Sequence, residues 1–470
     1  MKKQPGGKET ILQNRPSAVI NNSEGPSSSH IVMKLLVDHG VYQNVGDVSM
    51  LEAVVARCQQ KHPLAHLYVV QGDFQSSVWQ SDRIVPQAPY QVRPWFKKII
   101  WFFMKKQNYV LDKFLTAIFT NIYCRTVGST IIYVENKKYR INEFCDRFDG
   151  YLITGGGNLN DIFYKNLFEK LVLIKGFLQQ NKPVILTGQQ LGPIKSLFFR
   201  NAAMRMFRNV SFIGLRDPGN SAEFCMHAGI PRDRFRVMGD DSLNLLPAKP
   251  SIVRDCLQRN GLVAGKFIAV NLRIVWYAIT MRKLLPNLIC VFKELSDTLC
   301  MPLVFVPISW AEHDSDYKAA KLLKSELDSI QILHLLQPFP ALVKAVLGHA
   351  FGSIGTSFHF CTFSLCQGVP AFCVYQSEYY AQKAKSLELF WQETGLSCDI
   401  QNLTTASAGH IMKYWSDTLV RDRLSKKSEN ATFVWQQVFD AQMQKLFGMD
   451  DTFLGDGFRP QIPDWKEIEF

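Results

Sequence analysis

Residues 150–187 read GYLITGGGNLNDIFYKNLFEKLVLIKGFLQQNKPVILT and decide the fold class of the chain. A short apolar strand (residues 150–154) runs into three glycines, the spacing predicts a helix over about residues 162–180, and residues 183–187 form a second apolar strand. Apolar strands that alternate with helices of this length are typical of a parallel sheet with helices on both faces. The stretch therefore predicts one unit of an α/β sheet.

The same alternation continues on both sides of this stretch. Residues 34–38, a helix over about residues 48–61, and residues 66–71 form an earlier strand–helix–strand unit, and a second series of units starts near residue 267 and ends near residue 375. Two prolines within residues 245–250 indicate a linker between the series. The sequence predicts two doubly wound, Rossmann-like domains with a cleft between the carboxyl ends of their sheets.

We place the domain boundaries by these changes in pattern. The predicted parts are a flexible amino-terminal arm (1–30), an N-terminal Rossmann-like domain on the acceptor side (31–248), a C-terminal Rossmann-like domain on the donor side (249–430), and a C-terminal helix with an acidic tail (431–470).

Charge and cysteine content narrow the class of protein. The chain has 470 residues and a net charge of +12, and ten Lys/Arg against two Asp/Glu fall between residues 91 and 140, so most of the excess is local. Within it, residues 94–106 (PWFKKIIWFFMKK) interleave aromatic rings with lysines, which suits either a membrane interface over 95–106 or a helix with one solvated basic face. No nucleic-acid-binding signature accompanies the charge.

The eleven cysteines and the first 30 residues point to a reducing compartment. No cysteine or histidine pair has the spacing of a zinc site, so no metal is expected, and the odd cysteine count in a long chain argues against a disulfide framework. The first 30 residues have no apolar core of a secretory signal. We expect a cytoplasmic protein, with peripheral attachment to the inner face of the cytoplasmic membrane as an open alternative.

Candidate functional residues lie where predicted strands end. Gly155–Gly157 follow one strand, which fits either a tight turn or a loop that lines a cleft, and they lack the spacing of a dinucleotide site. Arg216 and Arg273 each follow a strand, one in each domain, and together suit a doubly charged anion, or else form surface ion pairs. His359 lies between a strand and a helix with Thr356 and Ser357, whose hydroxyls suit an anion or a helix cap.

Taken together, several motifs resemble the polysaccharide pyruvyl transferase family over roughly residues 35–385. They are NVGD (44–47), GGGN (155–158), GQQLGP (188–193), LRD (215–217) followed by Ala228–Gly229, and TSFH (356–359) continuing to FSL (363–365) and GVP (368–370). The order and spacing of these motifs, rather than any one of them, carry the resemblance.

The resemblance implies a GT-B-like fold and the transfer of a pyruvyl group from phosphoenolpyruvate, as donor substrate without a cofactor, to two hydroxyls of one sugar in a cell-surface polysaccharide or its lipid-linked precursor. It assigns His359 and Arg216 to catalysis and Arg273, Thr356 and Ser357 to the donor. It assigns the acceptor side to six residues: Asn44, Asp47, Gly156, Gly157, Asn158 and Gln189.

Two departures from the family pattern affect these assignments. Some members carry Arg-Leu-His where this chain has Ser357-Phe358-His359, so one anion-binding arginine is absent or is supplied elsewhere, with Arg273 as one source. Phe360 replaces the glycine that usually follows the histidine. Two further readings stay open: a GT-B-type glycosyltransferase that uses a nucleotide sugar, and a sugar-binding member without activity. The sequence does not fix the oligomeric state.

Overall fold

Two parallel sheets organise the chain, and they follow each other along the sequence. The computed structural model describes residues 32–40, 43–70, 82–92, 109–126, 130–274, 281–310, 315–335 and 339–448. From Met33 onward the chain forms a single unit by its internal contacts. Both sheets lie within that unit, so contacts between the two domains are part of the described structure.

The first sheet has eight strands in the order β11-β10-β9-β7-β1-β2-β3, with β8 paired to β9. All of its pairings are parallel, and strand interiors such as Leu35–Val37 are fully buried, as expected for a sheet covered on both faces. Its strands are β1 (Lys34–Asp38), β2 (His66–Val70), β3 (Ile84–Gln87), β7 (Gly150–Ile153), β8 (Gly156–Leu159), β9 (Val184–Leu191), β10 (Phe212–Leu215) and β11 (Phe235–Val237). An antiparallel sheet of β4 (Tyr90–Val92), β5 (Ile131–Val134) and β6 (Lys137–Arg140) accompanies it.

The second sheet has six parallel strands in the order β14-β13-β12-β15-β16-β17. In chain order this is the 3-2-1-4-5-6 arrangement of a Rossmann sheet. The first sheet repeats that arrangement with two further strands, one that extends the path and β8, which lies off it. The strands are β12 (Ile268–Asn271), β13 (Leu303–Phe305), β14 (Gln331–Ile332), β15 (Gly352–Gly355), β16 (Ala371–Tyr375) and β17 (Ser397–Asp399). The predicted fold class, two doubly wound Rossmann-like domains, is confirmed.

Helices connect the strands in both domains. In the first domain they are α1 (Val45–Lys61), α2 (Tyr109–Arg125), α3 (Ile141–Cys145), α4 (Tyr164–Leu178), α5 (Leu197–Phe207) and α6 (Asn220–His227). In the second half of the chain they are α7 (Pro250–Arg259), α8 (Met281–Leu299), α9 (Asp316–Glu326), α10 (Pro340–Leu347), α11 (Phe358–Leu365), α12 (Glu378–Trp391), α13 (Thr405–Ser416) and α14 (Thr418–Phe447). Short 3₁₀ turns occupy Arg232–Arg234, Asp241–Asn244 and Ile400–Asn402.

The last helix, α14, returns to the first domain. Trp435, Phe439 and Met443 are buried in the same apolar cluster as Leu35 and Val37 of β1. The helix begins at Thr418, so the boundary that the sequence places after residue 430 falls inside it. The chain therefore crosses between its two domains a second time near its end.

The two domains also meet directly at the carboxyl ends of their sheets. Asn44 forms an isolated antiparallel bridge with Ser309, and the Val45 amide donates to the Ile308 carbonyl at 2.8 Å. Lys344 of α10 is buried and donates to three carbonyls around the predicted linker, at Ser242, Leu243 and Leu245. These bonds join the domains beside the loops that carry the candidate residues.

All eleven cysteines lie in the described part of the chain, and none of them is paired in a disulfide. Within the same part, no helix combines the length and the apolar character that crossing a bilayer requires. The segment 95–106 and the tail from residue 449 onward lie outside the described residues.

Candidate functional site

The candidate loops converge because each follows a strand at the switch point of its sheet. In the first domain the strand order reverses between β1 and β7, which are followed by Asn44–Asp47 and Gly155–Asn158; in the second it reverses between β12 and β15, which are followed by Arg273 and Thr356–His359. Open parallel sheets bind ligands at this place. The structure thus directs four of the sequence motifs into one region between the domains.

Arg216 and His359 come from different domains and contact the same carboxylate. Nη1 of Arg216 and Nε2 of His359 each lie 3.5 Å from Oδ2 of Asp240. All three side chains are buried. The structure therefore brings the two predicted catalytic residues together, through an aspartate that the sequence analysis did not single out.

Asp240 follows the short strand β11, at the same end of the sheet as the other loops. Burial by itself raises the pKa of the Asp240 carboxyl, but the nearby His359 and Arg216 outweigh burial and hold that pKa far below its ordinary value. Asp240 is thus an anion at all working pH values.

Arg216 is fixed on several sides. Its guanidinium carbon lies 3.9 Å from the centre of the Phe358 ring, and Nη2 donates to the side-chain oxygen of Gln190. Its backbone amide donates to the Gln189 carbonyl at 3.0 Å. Nε of Arg216 is buried and has no hydrogen-bond partner among the described residues. The side chain therefore keeps one N–H for a further acceptor.

His359 lies against the amino-terminal turn of α1. A Cβ atom at Gly46 would overlap the His359 ring at Nδ1, so the glycine of the NVGD motif is required by the close approach of the ring. Asn44 caps the same helix, because its Oδ1 accepts from the Gly46 amide at 2.9 Å. Asp47 lies in the first turn of this helix, beside Gly40.

The glycine loop has a different structure from a phosphate-binding turn. Gly156–Leu159 form the short strand β8, which pairs with β9, and α4 begins only at Tyr164. Gly157 faces the arginine: Nη2 of Arg216 lies 2.9 Å from the position that a Cβ would take there. Asn158 is partly exposed beside it. The glycines serve close packing in the cleft, so the turn expected from the sequence is corrected to a paired strand.

The predicted donor residues lie together at the ends of β12 and β15. Thr356 Oγ1 accepts from the Arg273 backbone amide at 2.8 Å, which fixes the two loops to each other. Ser357 is the N-cap residue of α11, yet its side chain makes no capping hydrogen bond, and it is buried. The capping role that the sequence left open for these hydroxyls is thus not the one they take.

Gln189 is buried on β9, where its Nε2 donates to the Thr154 carbonyl at 2.6 Å and its Oε1 has no partner among the described residues. A small cavity with about 10 Å³ of space for water, about one molecule, lies beside Arg216, Asp240 and Phe358. Unsatisfied polar atoms therefore cluster at the contact of the two domains.

The neighbouring carboxyl, Asp241, holds parts of the fold together through hydrogen bonds. It is buried and accepts hydrogen bonds from the Gly155 amide (2.6 Å), the Thr187 hydroxyl (2.6 Å) and the Trp435 indole (2.8 Å). Burial, reinforced by Asp240 and opposed by these bonds, raises the pKa of Asp241 to about 7. Asp241 ties α14 to the first domain and does not contact His359 in the described structure.

Among the described residues, no group of histidine, cysteine, aspartate and glutamate side chains is arranged to hold a metal ion. The chemistry of this site therefore rests on four side chains: the cations of Arg216 and Arg273, the imidazole of His359 and the buried carboxylate of Asp240.

Solved structures with the same architecture support the GT-B assignment. MnaA of S. aureus, solved with UDP, aligns at a TM-score of 0.55 with 11% identity over 88% of this chain and 97% of its own. UDP-N-acetylglucosamine 2-epimerase from Rickettsia bellii aligns at 0.52 with 11% identity over 90% and 99%. The enzyme of that name from Neisseria meningitidis, bound to UDP-GlcNAc, aligns at 0.51 with 11% identity over 88% and 100%. At this identity the likeness concerns the fold alone.

No curated protein matches the sequence. The pattern of the family described as polysaccharide pyruvyl transferase, however, matches residues 44–378, well over half of the chain. That range contains NVGD, GGGN, Arg216, Asp240 and His359, which the fold brings to one place. The chain belongs to the polysaccharide pyruvyl transferase family.

Proposed function

We propose that this protein transfers a pyruvyl group from phosphoenolpyruvate to two hydroxyls of one sugar, forming a cyclic pyruvate ketal. The observation that carries the proposal is the contact of Arg216 and His359, from different domains, with the one carboxylate of Asp240. This arrangement places a fixed cation and an imidazole at one buried carboxylate. Both groups are what the enol phosphate of the donor requires.

His359 supplies the proton that starts the reaction. Protonation of C3 of phosphoenolpyruvate turns its methylene into a methyl group and leaves an oxocarbenium-like centre at C2. One sugar hydroxyl attacks C2, phosphate departs, and the second hydroxyl closes the ring. Of the two hydroxyl protons released, one replaces the proton that His359 gave to C3 and the other leaves on the phosphate.

Arg216 holds the phosphate and stabilises the charge that develops as it departs, as charged donors do in such sites. Arg273, Thr356 and Ser357 contact the rest of the donor from the second domain. The acceptor sugar lies against the first domain, along six residues: Asn44, Asp47, Gly156, Gly157, Asn158 and Gln189. No cofactor takes part in these steps.

The acceptor is a cell-surface polysaccharide or its lipid-linked precursor, reached from the cytoplasmic face of the membrane. An apolar surface on α2 and α5 supports this part of the proposal: Val110 is 74% exposed, Phe114 52% and Leu197 60%. The Phe114 ring contacts the Phe198 ring edge to face, with 6.1 Å between the ring centres. The basic aromatic segment 95–106 directly precedes α2 in the sequence. An apolar surface on a helix that follows a lysine-rich segment in the sequence suits an anionic bilayer.

Vesicle binding tests the membrane part. The full chain should bind anionic vesicles at low salt, lose binding as salt rises, and bind several-fold more weakly when four lysines of the segment become glutamine. A matched variant changes four exposed lysines of the second half. The segment variant changes Lys97, Lys98, Lys105 and Lys106. The matched variant changes Lys321, Lys324, Lys413 and Lys426. Equal binding by both variants and the wild type rejects the membrane role of the segment.

A donor panel tests the reaction itself. The purified protein is incubated with oligosaccharide acceptors and either phosphoenolpyruvate or nucleotide sugars, and released phosphate and nucleoside diphosphate are measured. Phosphate release that depends on acceptor, with a ketal on the sugar, supports the proposal. Release of nucleoside diphosphate with transfer of a sugar would instead support the glycosyltransferase reading, and binding without turnover of either donor would support a sugar-binding role.

A further inference from the structure

Lys383, a residue of α12 that the sequence motifs do not include, reaches the same point of the cleft as Arg216. Its Cε lies 3.3 Å from the position that a Cβ would take on Gly157, and Nη2 of Arg216 lies 2.9 Å from that position. Lys383 belongs to the second domain and Gly157 to the first. The two long cationic side chains thus converge, from opposite domains, over a residue that has no side chain.

Two tyrosines hold Lys383 in this position. Nζ of Lys383 lies 4.3 Å from the centre of the Tyr379 ring and 5.6 Å from that of Tyr380. The Tyr379 hydroxyl donates to the Gly157 carbonyl at 2.8 Å, which fixes α12 to the glycine loop. Aromatic faces orient an ammonium group without neutralising its charge. The geometry therefore presents the ammonium group to the cleft already aligned.

Charges of both signs lie around Lys383. Arg216 and Arg273 are cations, Asp47 is an anion, and the Asp240 carboxylate lies beside Arg216, so the cations outnumber the carboxylates only when Lys383 itself is protonated. Burial, together with the positive charges of Arg216 and Arg273, lowers the pKa of Lys383 to about 7, while Asp47 and the thiol of Cys373 act in the opposite direction. A site in which cations outnumber anions is stabilised by an anion of multiple charge. Two cations that meet at one point match a dianionic phosphate better than a monoanionic carboxylate.

We propose that Lys383, together with Arg216, binds the phosphate group of the donor in the closed cleft. This inference rests on the proposed function and adds a donor-binding residue to it. It assigns the phosphate to the Gly157 side of the cleft and leaves Arg273, beside Thr356, for the donor carboxylate.

Donor binding then takes up a proton. Below pH 7 the Lys383 amine is already protonated, and above pH 7 it is partly neutral in the unliganded protein. A bound dianion favours the ammonium form, so the donor brings a proton with it at pH 8 and loses affinity as the pH rises above 7. A lysine that is charged throughout would give no such dependence.

Calorimetric titration of the full chain with phosphoenolpyruvate, in buffers of different ionisation enthalpy at pH 6 and pH 8, tests the inference. The wild type should take up more protons at pH 8 than at pH 6. K383M should bind the donor about 10- to 100-fold more weakly, the usual loss for one charge-assisted hydrogen bond, and lose that difference in proton uptake. K383R should bind the donor at pH 8 without this difference in proton uptake, because the charge of arginine does not titrate in this pH range. K385M, which changes an exposed lysine of the same helix, should behave as the wild type.

The outcomes separate this inference from the proposed function. If K383M and K383R bind the donor as tightly as the wild type with the same proton uptake at both pH values, Lys383 does not bind phosphate, and the proposed function stands. If the wild type binds no phosphoenolpyruvate, both fail. If K383M folds poorly, K383R still decides the question. The proton uptake of K383R differs from that of the wild type only if Lys383 titrates when the donor binds.

Discussion

The substitution Asp240→Asn tests the contact of Arg216 and His359 with one buried carboxylate. The variant keeps the size of the side chain and removes its charge, so Arg216 and His359 lose the anion that both contact at 3.5 Å. At an effective dielectric constant near 20, a unit charge pair at this distance is worth about 5 kcal/mol as an upper bound. The side chains are buried, which limits compensation by solvent.

Two consequences follow from these magnitudes. The buried Arg216 is left without its carboxylate, a loss that typically destabilises the folded state by about 3–5 kcal/mol. His359 also loses the carboxylate that its Nε2 contacts. A loss of about 3 kcal/mol in the transition state lowers turnover about 10²-fold. The expected result is thus lower stability together with lower activity per folded molecule.

Asp241→Asn is the matched control, because Asp241 is the adjacent buried carboxyl and serves only structure. It should lower stability, because the single amide oxygen of asparagine cannot replace both the oxygen that accepts from Gly155 and Thr187 and the oxygen that accepts from Trp435. Turnover per folded molecule should stay within a few-fold of the wild type. Since the folded-state pKa of Asp241 is raised to about 7, its contribution to stability declines from about pH 4 to pH 7 in the wild type, and this slope should be absent in the variant.

Denaturant unfolding gives stability, and phosphate release divided by the folded fraction gives activity. The reasoning is refuted if D240N keeps more than about a tenth of wild-type turnover per folded molecule, or if D241N loses as much turnover as D240N.

Two further substitutions test packing that the site depends on. Gly46→Ala should sharply reduce turnover because a methyl group there displaces the His359 ring, whereas Gly409→Ala, in an open helix position, should stabilise the fold by about 0.5–1 kcal/mol; equal turnover in both variants would contradict the close approach. Trp435→Phe should cost about 1–3 kcal/mol more in unfolding free energy than Trp415→Phe, because the Trp435 indole donates to a buried carboxyl and the buried Trp415 indole has no partner in the described part of the chain; equal costs would show that the bond does not hold α14 in place.

Much of the fold is legible in the sequence because strands buried on both faces must be apolar throughout. That requirement makes Lys34–Asp38 and Phe212–Leu215 stand out between amphipathic helices, and both are strands with those bounds. The proximity of Arg216 and His359 follows from the same logic, since loops after parallel strands share one edge. Their roles in donor chemistry stay predictions.

The rest of the site depends on tertiary contacts that leave no local pattern. Asp240 follows a three-residue strand and resembles any polar turn residue until Arg216 and His359 approach it. Lys383 lies within a helix, where a lysine is ordinarily exposed, and only the approach of Gly157 from the other domain gives it a place in the cleft. The position of Asp240 shortly after a strand is the one feature of the sequence that points to it as a site residue.

Turnover of the His359→Ala variant with phosphoenolpyruvate as donor tests the central claim most directly. In D₂O, the wild type should release phosphate and form a ketal whose methyl group carries one deuterium, delivered through His359. The folded variant should form that product 10²–10⁴-fold more slowly, the span usual for loss of one general acid. A folded His359→Ala protein that retains more than about a tenth of wild-type turnover, or a wild type that forms no ketal from phosphoenolpyruvate with any acceptor, would contradict the account.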